Sequence, residues 1–419
     1  MIDLKAARQE PDRYRAALAR RGAAKDFDAL LAADARWREH TERAQVLRAT
    51  QKKSSKGGPP GPEELAELRR LAAELEEATE EESQAAQERD ALLARIPNLP
   101  DPSAADGMDE DDAELVRTWG EPPRFDFKPR DHLELASQEA SARGWIDMAR
   151  GARLSGSRFA YRIGDVALAE MAMYRFVIDY LAQRGFLLVL PPVLVGEKAM
   201  YGTGFLPTEE SNLYQLEKDE LYLTGTAEVA LAGIHADERL EEEQLPALYA
   251  GFSTNFRREA GAAGKDTRGM FRVHQFDKVE MYVYCAPEQS AEFHERLLGY
   301  EEEIAQALGV PYRVMNIPVG DLGAPAAKKY DIEAWFPTQE RYREITSCSN
   351  TTDYQARRLN VRFRRDGGLQ FVHTLNGTGA TARALLSVME NFQDEGGTVA
   401  VPEVLRRYGA PSTLGKQAS

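Results

Sequence analysis

The chain has 419 residues, of which 43% are hydrophobic, so two or three domains with at least one sizeable core are expected. Its 68 acidic and 53 basic side chains leave a formal charge of −15, which is unfavourable for nucleic-acid binding unless charge is segregated along the chain. The two cysteines exclude a disulfide framework and indicate no zinc site, and no stretch of the sequence resembles a signal peptide or a membrane span, so we expect a cytoplasmic protein.

Residues 28–56 and 63–95 predict two long helices that form an antiparallel hairpin. Both stretches are rich in Ala, Leu, Glu, Arg and Gln, and their apolar residues recur at spacings of three and four. The first seam consists of Leu30, Trp37, Ala44 and Leu47, and the second of Leu65, Leu68, Ala72, Leu75, Ala86, Leu93 and Ile96. The glycine- and proline-rich residues 54–62 between them predict the turn.

Charge is segregated between these two helices. The first carries seven basic and four acidic side chains, and the second carries four basic and eleven acidic ones. We therefore expect an exposed arm that binds a polyanion through its basic helix and through Lys52, Lys53 and Lys56 near the turn. The alternative is a solvated coiled coil or a dimerisation helix.

Residues 96–123 contain five prolines and an acidic run, and predict a linker. Beyond it, strand-like runs lie close together in sequence, which favours an antiparallel sheet flanked by helices, an α+β fold, over a parallel βαβ fold. The predicted helices are 167–184, 290–308 and 382–392, and the predicted strands are 186–190, 221–223, 279–284, 312–317 and 369–372. The predicted domains are 1–105, with the arm at about 28–96, and 106–419.

Residues 255–280 predict a long β-hairpin with charged groups on one face. Arg257 and Glu259 are placed on its first strand, and Arg272, His274 and Phe276 on its second, with a glycine-rich loop between them. Arginine binds phosphate through two parallel hydrogen bonds and phenylalanine can stack on a base, so the pattern indicates a nucleotide site. The alternative is a surface hairpin with cross-strand ion pairs.

Another segment, residues 344–350, could contribute a metal site. Glu344 and Thr346 are predicted to share one strand face, with Ser347 at the strand end beside them. A carboxylate and a hydroxyl suit Mg²⁺ that is also held by phosphate oxygens. The alternative is a polar strand end that turns into a loop.

Two glycine-containing segments complete the set. Residues 375–391 predict a strand and a glycine-rich turn that feed a helix beginning near Ala380, with Arg383 in its first turn, where anions gather. The alternative there is a solvated arginine beside a packing motif. Residues 224–228 place small hydroxyls and a carboxylate after a strand, which suits a small polar ligand.

The order of these segments resembles that of the bacterial seryl-tRNA synthetases, which are class II aminoacyl-tRNA synthetases, over essentially the whole chain. Residues 256–259 (Phe-Arg-x-Glu) and 269–280 (Gly-x-x-Arg-Val-His-Gln-Phe-x-Lys-Val-Glu) are similar to motif 2 in its seryl-specific form. Residues 185–191 are similar to motif 1, and Arg383 matches the arginine of motif 3. The resemblance implies a seven-stranded, mainly antiparallel sheet flanked by helices, an N-terminal coiled-coil arm, and a homodimer formed through the motif 1 region.

The resemblance also implies roles for single residues. Arg257 and Arg383, the catalytic residues, would hold the α- and γ-phosphates of ATP, Glu259 would contact the adenine amino group, and Phe276 would stack on the base. The other implied ATP-binding residues are Val273, His274, Gln275, Glu344, Ile345, Thr346 and Ser347, of which Glu344 and Ser347 would ligate Mg²⁺. The implied serine-binding residues are Thr226, Ala227, Glu228, Glu280 and Thr378.

The function that the resemblance implies is ATP-dependent activation of L-serine to seryl-adenylate and its transfer to tRNA(Ser), which the helical arm would grip; whether tRNA(Sec) is also served stays open. One alternative is an amino acid–carrier protein ligase, a paralogue that lacks the arm which this chain has. Another is a non-catalytic interaction protein on an inactive synthetase fold, which the intact Arg257, Glu259, Glu344 and Arg383 oppose.

Overall fold

The computed structural model describes residues 1–54, 61–260 and 268–415, which form two compact units, Met1–Leu99 and Pro100–Ser419. Lys56, most of the predicted turn of the arm, the glycine-rich loop of the hairpin and the last four residues lie outside the described residues. The predicted domain boundary between residues 105 and 106 stays a prediction.

The first unit is helical, and its two long helices confirm the predicted hairpin. Tyr14, Phe27, Leu30 and Ile96 belong to a buried cluster at the base of these helices. Asp3 caps the first helix by accepting the backbone N–H of Ala6 at 2.9 Å. The helices are α1 (Leu4–Gln9), α2 (Pro11–Arg20), α3 (Ala24–Ser54) and α4 (Pro62–Arg95).

The contact seam of α4 differs from the predicted one. Leu65 is 41% exposed and Ala72 is also exposed, whereas Leu71, Ala78 and Ala85 are buried. These three buried residues repeat every seven positions, as in a coiled coil, and the two alanines let the helices approach closely. The seam prediction was therefore wrong at Leu65 and Ala72, whereas Ile96 is buried, Leu93 packs against the buried cluster, and Leu68, Leu75 and Ala86 are half-buried.

The arginines of α3 are largely used within the arm. Arg36 lies 2.6 Å from Glu88 of α4, and similar pairs join Arg43 to Glu81 at 2.6 Å and Arg48 to Glu82 at 2.9 Å. The segregated charge predicted from the sequence therefore forms ion pairs across the two helices. Lys52 and Lys53, near the end of α3, are exposed.

The second unit is built on a large sheet with helices packed against it. Its helices are α5 (His132–Leu135), α6 (Met148–Ser155), α7 (Asp165–Ala182), α8 (Glu197–Thr203), α9 (Ala227–Ala232), α10 (Ser290–Leu308), α11 (Tyr354–Leu359), α12 (Ala382–Asn391) and α13 (Glu403–Arg406). Short 3-10 helices lie at Glu110–Asp112, Glu210–Asn212, Glu242–Gln244 and Pro287–Gln289.

The strands of this unit are β1 (Glu114–Trp119), β2 (Gly144–Asp147), β3 (Tyr161–Gly164), β4 (Leu187–Val189), β5 (Leu194–Gly196), β6 (Tyr214–Leu216), β7 (Leu221–Leu223), β8 (Arg239–Glu241), β9 (Ala247–Phe256), β10 (Gln275–Cys285), β11 (Tyr312–Asn316), β12 (Lys328–Phe336), β13 (Arg341–Thr352), β14 (Arg362–Arg365), β15 (Gly368–Phe371), β16 (His373–Thr381), β17 (Val399–Ala400) and β18 (Thr413–Leu414). Smaller sheets pair β15–β14–β8, β5–β7–β6, β2–β3 and β17–β18.

Among the described residues, the large sheet has eight strands in the order β1–β11–β12–β13–β16–β10–β9–β4. All neighbouring strands are antiparallel except β4 and β9, which are parallel. The main core lies where α7, α10 and α12 cover this sheet, around buried side chains such as Val177, Leu297 and Leu385. The α+β prediction of a mainly antiparallel sheet flanked by helices is thereby confirmed.

One strand of this sheet lies within the predicted linker. Residues 114–119 form β1 at the edge of the sheet, which raises the strand number from the implied seven to eight. The linker prediction was wrong there because the segment gains its structure from pairing with β11, a partner nearly 200 positions away in sequence.

None of the helices within residues 1–54, 61–260 and 268–415 combines the length and the apolar character that crossing a bilayer requires.

Candidate active site

The central strands β10, β13 and β16 and the ends of β9 and β12 surround a cleft with a cavity volume of about 390 Å³. Arg257 and Arg383 both line this cleft although 126 positions separate them in the chain. Phe276 and Glu344 line it as well. The sequence-predicted nucleotide residues therefore converge on one cavity.

Arg257 lies just beyond the end of β9 and not within the strand. Its backbone N–H still donates to the His274 carbonyl at 3.0 Å, and its Nε donates to the Gly225 carbonyl at 3.1 Å. Its guanidinium lies 5.4 Å from the centre of the Phe276 ring. These contacts fix the charge beside the aromatic wall of the cleft.

Glu259 does not share a strand face with Arg257, contrary to the prediction. Strand β9 ends at Phe256, and Glu259 has a φ of +52°. The chain leaves the hairpin there, since a left-handed residue cannot continue the strand. The Glu259 carboxylate instead accepts a hydrogen bond from Arg272 Nη1 at 2.8 Å, and both side chains line the cleft.

Arg383 occupies the first turn of α12. Strand β16 runs without a turn up to Thr381, whose hydroxyl caps the helix, so the predicted glycine-rich turn was wrong. The helix itself, Ala382–Asn391, confirms the predicted helix 382–392. Arg383 Nε donates to the Phe271 carbonyl at 3.1 Å, and its Nη1 donates to the Glu344 carbonyl at 3.1 Å. These two anchors orient the guanidinium in the cleft.

Glu344 and Ser347 lie on the wall of the cleft, but Thr346 does not. An extra residue, Ile345, forms a β-bulge opposite Ile332 and Glu333 of β12. The bulge breaks the strict alternation of faces, so that Glu344, Ile345 and Ser347 line the cleft. The predicted shared face of Glu344 and Thr346 was therefore wrong, and Ser347 lies well inside β13. The carboxylate and hydroxyl oxygens of Glu344 and Ser347 are the donor types that Mg²⁺ prefers, so the residues fit this ion.

A smaller cavity of about 220 Å³ adjoins the cleft. Thr226, Glu228, Glu280 and Thr378 all line it. A second bulge, at Gly379, sets Thr378 directly opposite Glu280 on the neighbouring strand. Four of the five implied serine-binding residues thus share one small polar cavity.

The two cavities share side chains at their junction. Arg257, Lys278, Lys329 and Ser347 line both of them, with Phe205, Glu209 and Thr378. Lys278 forms an ion pair with Glu280, and Lys329 Nζ lies 3.0 Å from Asp331. Three cationic groups therefore meet where the larger and the smaller cavity join.

The acidic groups of the two cavities titrate differently. Burial, together with the neighbouring Glu280 charge, raises the pKa of Glu228 to about 7. Burial also raises the pKa of Glu280, although Lys278 opposes the shift. At Glu344 burial acts in the same direction, but the charges of Arg383 and Lys329 outweigh it and lower the pKa. The cleft therefore favours an ionised carboxylate among cations, whereas the environment of the small cavity makes its two carboxyls harder to ionise.

Three of the predicted site residues lie outside both cavities. His274 turns away, with Nδ1 at 2.9 Å from the Arg257 carbonyl and its ring against Phe159. Thr346 donates to the buried Glu301 at 3.0 Å. Ala227 is buried in the first turn of α9 within an apolar cluster. For these side chains the structure offers no surface to a ligand in either cavity.

Sequence reasoning missed several residues that belong to the site. Lys329 comes from β12, for which no motif was recognised, and Asn376 lines the small cavity from β16. Behind the cavities, Gln355 of α11 and Glu301 of α10 hold site residues by hydrogen bonds. Polar side chains on the otherwise apolar face of α10 are the signal that could have identified Glu301, whereas short α11 gave no such signal.

Comparison with known protein families gives two matches along the chain. Residues 1–100 match the Seryl-tRNA synthetase N-terminal domain. Residues 211–392 match the tRNA synthetase class II core domain (G, H, P, S and T). The second match spans the hairpin, β13, β16 and α12, and so contains the cleft.

Individual relatives are similar over the whole length. The chain is 47% identical to a serine–tRNA ligase of Corynebacterium glutamicum, with 99% of this chain and 98% of the relative covered. It is also 47% identical to a serine–tRNA ligase of Thermobifida fusca, with 99% of each covered. Its structure resembles that of a seryl-tRNA synthetase from Pyrococcus horikoshii complexed with ATP, with a TM-score of 0.92, 40% identity and full coverage of both chains.

Proposed function

This chain belongs to the seryl-tRNA synthetase family and is an aminoacyl-tRNA ligase, and we propose that its two adjoining cavities hold the ATP and the serine that it joins into an adenylate. The observation that carries this proposal is that Arg257 and Arg383 share one cleft, which opens at Lys278 and Lys329 into a small acid-lined cavity. A triphosphate and a small amino acid are the ligands that these two spaces suit.

ATP lies in the larger cleft with its base against Phe276. Arg257 lines both cavities and holds the α-phosphate. Arg383 lines only the larger cleft and holds the γ-phosphate. Glu259 accepts a hydrogen bond from the adenine amino group while it keeps its bond to Arg272. Glu344 and Ser347 would hold Mg²⁺, which would neutralise charge on the phosphates when bound.

The first step is attack of the serine carboxylate on the α-phosphorus, which forms the mixed anhydride and releases pyrophosphate. A carboxylate is already ionised at neutral pH, so no general base is required. The step requires alignment and stabilisation of the negative charge on the phosphates. Arg257, Lys278 and Lys329 at the junction of the cavities are placed to supply both.

The small cavity selects serine by size and by hydrogen bonding. Glu228 and Glu280 accept hydrogen bonds from the ammonium and hydroxyl groups, and Thr226 and Thr378 line the remaining wall. Alanine leaves these buried polar groups unpaired and is rejected strongly, whereas threonine is excluded because of the small volume of the cavity.

In the second step, the terminal ribose hydroxyl of tRNA(Ser) attacks the carbonyl of the adenylate. The arm formed by α3 and α4 binds the long variable region of this tRNA. Because three α3 arginines are paired with α4 glutamates, the exposed Lys52 and Lys53 carry the phosphate contacts at the described end of the arm. We place the reaction in the cytoplasm, and the two buried, unpaired cysteines accord with a reducing compartment.

The protein acts as a homodimer through the motif 1 region. On and near β4, Leu187 is 64% exposed and Leu190 is 74% exposed, and Met171 of α7 is 59% exposed. Exposed apolar residues of this density are typical of protein interfaces. Light scattering on the purified protein should give about twice the chain mass of 46.7 kDa; the mass of one chain would contradict the dimer.

The function is tested by ATP–pyrophosphate exchange with each amino acid in turn, followed by charging of total tRNA. We expect exchange with serine alone and aminoacylation of serine tRNA. Exchange with serine but transfer only to a carrier protein would identify a carrier-protein ligase. Absence of exchange with every amino acid would contradict the enzymatic proposal.

A further inference from the structure

A buried hydrogen-bond network lies directly behind Glu228 in the wall of the small cavity. Its centre is Gln355 of α11, which is fully buried and does not line the cavity. Its Nε2 donates to Glu228 Oε1 at 2.7 Å. Asn376 Nδ2 donates to the same oxygen at 2.9 Å. Two donors on one oxygen fix the carboxylate against rotation.

The other end of the Gln355 amide is held by hydroxyl donors. Tyr282 donates to Gln355 Oε1 at 2.7 Å, and Thr374 Oγ1 donates to it at 3.0 Å. Beside it, Thr351 Oγ1 donates to the Thr374 carbonyl at 2.7 Å. This hydrogen bond joins Thr351 of β13 to Thr374 of β16. Burial raises the pKa of Tyr282 well above its ordinary range, so that its hydroxyl remains a donor.

The groups around Nε2 determine which way the amide faces. Besides Glu228, Nε2 donates to the Thr203 carbonyl at 3.4 Å. A carbonyl and an ionised carboxylate can only accept, so the NH₂ group faces them and the carbonyl oxygen faces the hydroxyls, which can donate. The reverse orientation would place an NH₂ group against Tyr282 and a carbonyl oxygen against a carboxylate. The network therefore has one satisfied arrangement, and that arrangement favours the ionised form of Glu228.

We propose that Gln355 is a positioning residue that holds Glu228 as an oriented, ionised acceptor for the ammonium or hydroxyl group of the amino-acid substrate. This proposal rests on the proposed function, since it concerns the serine cavity. Gln355 does not touch the substrate and acts only through Glu228. It therefore governs serine affinity and leaves the nucleotide cleft unchanged.

The charge state of Glu228 makes this role measurable. Its pKa of about 7 results from burial and Glu280, which raise it, and from the Gln355 hydrogen bond, which lowers it. The charged groups that line the cavity with it are Glu280 and Lys278 of β10, Glu209 before β6, Arg257 after β9 and Lys329 of β12. Loss of the amide donor should move the titration of Glu228 to higher pH.

The experiment uses full-length Gln355→Met and Gln355→Glu enzymes in serine-dependent pyrophosphate exchange between about pH 6 and 9. Gln355→Met removes the amide, and Gln355→Glu keeps its size but sets a second carboxyl against Glu228. The matched control is Tyr284→Phe. Tyr284 is as buried as Tyr282 on the same strand, but its hydroxyl donates to the Leu231 carbonyl at 2.7 Å.

We expect both Gln355 variants to raise the KM for serine at neutral pH by about tenfold, as loss of a hydrogen bond to a charged group implies. The midpoint of the pH dependence of this KM should move upward from about 7, its wild-type position. The KM for ATP should stay within about twofold. Tyr284→Phe should leave both the serine KM and the midpoint unchanged.

Three results would overturn the proposal: an unchanged serine KM and midpoint in Gln355→Glu, an equal shift in Tyr284→Phe, or no midpoint near neutrality in the wild type. The last of these needs no variant, so the proposal can fail even if Gln355→Met does not fold. Wild-type enzyme without any serine-dependent exchange would overturn the proposed function as well. Normal wild-type exchange with unaffected Gln355 variants would overturn this inference alone.

Discussion

At the scale of single residues, the proposed chemistry depends on two arginines whose guanidinium groups are anchored by backbone carbonyls. Arg257 is held by the Gly225 carbonyl, and Arg383 by the carbonyls of Phe271 and Glu344. Neutral anchors leave the positive charge of each guanidinium for the ligand, whereas full ion pairing would already neutralise it. Arg383 does have one nearby acid, Glu344, at 3.5 Å, which also faces the cleft.

Replacing either arginine should therefore affect the reaction more than the fold. Arg257→Ala and Arg383→Ala should each lower the rate of pyrophosphate exchange by roughly 10²–10³-fold, because a preorganised positive charge is lost. Arg364→Ala, at a side chain that is 58% exposed on β14, is the control and should retain full activity. Loss of less than about tenfold in either cleft variant would contradict the assigned roles.

Glu301 illustrates a residue that supports the site without facing it. Its two carboxyl oxygens accept hydrogen bonds from the Thr346 hydroxyl and the Thr378 N–H, each at 3.0 Å. Burial raises the pKa of Glu301 well above its ordinary value, which favours the protonated form. This one buried carboxyl joins β13 to β16 beneath both cavities.

Because the raised pKa favours the uncharged carboxyl, position 301 should tolerate an amide of the same shape. Glu301→Gln should change the free energy of unfolding by less than about 1 kcal/mol, because the Thr346 hydroxyl can turn to accept the new NH₂ group. Glu301→Ala should destabilise by about 2–5 kcal/mol, since it leaves two buried polar groups unpaired and a cavity. Denaturant unfolding measures both; equal destabilisation by the two variants would show that the carboxyl is ionised.

At the scale of elements, two β-bulges place the site residues. The bulge at Ile345 brings Glu344, Ile345 and Ser347 to the cleft, and the bulge at Gly379 sets Thr378 opposite Glu280. A strand with strict alternation would send half of these side chains to the helix-covered face. The two bulges therefore change which side chains of β13 and β16 face the proposed binding site.

The glycine at the second bulge is required by its surroundings. A Cβ on Gly379 would lie 2.8 Å from Val177 Cγ1 and 3.2 Å from Val279 Cγ1. Gly379→Ala should destabilise the fold by about 1–3 kcal/mol through overpacking. It should also raise the serine KM, because Thr378 shifts with the strand.

The matched substitution is Gly299→Ala, inside α10, where an added Cβ meets nothing within 4 Å. This change should stabilise by about 0.5–1 kcal/mol, since alanine loses less conformational entropy in a helix. Thermal unfolding and serine kinetics on both variants check the argument. A Gly379→Ala enzyme with wild-type stability and serine KM would contradict the role of the bulge.

At the scale of the whole molecule, we expect the two units to have separate tasks. Both cavities are lined by residues of the second unit, and the exposed lysines of α3 belong to the first. Deletion of residues 28–95 should spare serine-dependent pyrophosphate exchange and abolish charging of tRNA. Phe27 and Ile96, at the two cut ends, lie in the same buried cluster, so the remaining helices can be joined there.

The double substitution Lys52→Glu and Lys53→Glu is the smaller version of this test. The double variant should have a higher KM for tRNA, and this KM should depend less on the salt concentration. The reason is that fewer phosphate contacts release fewer counterions. Arm deletion that reduced exchange and charging equally would contradict the division of labour.

The sequence by itself indicated which side chains could carry the chemistry and predicted some of the long elements, among them the helical hairpin and α10. The helical hairpin, α10, the antiparallel sheet, Arg257, Arg383, Glu344 and Ser347 were all predicted from local pattern or from the motifs, because periodicity and residue chemistry are written along the chain. The family assignment followed from the order of those motifs and was confirmed by the comparisons.

The tertiary structure alone decided how these parts face one another. It added β1 to the sheet, selected the Leu71, Ala78 and Ala85 seam, and turned Thr346 and His274 away from the cavities. Bulges, strand pairing and buried networks such as that of Gln355 depend on partners far away in sequence. A local pattern holds no information about those partners, so the shape of the site becomes definite only when the sheet has assembled.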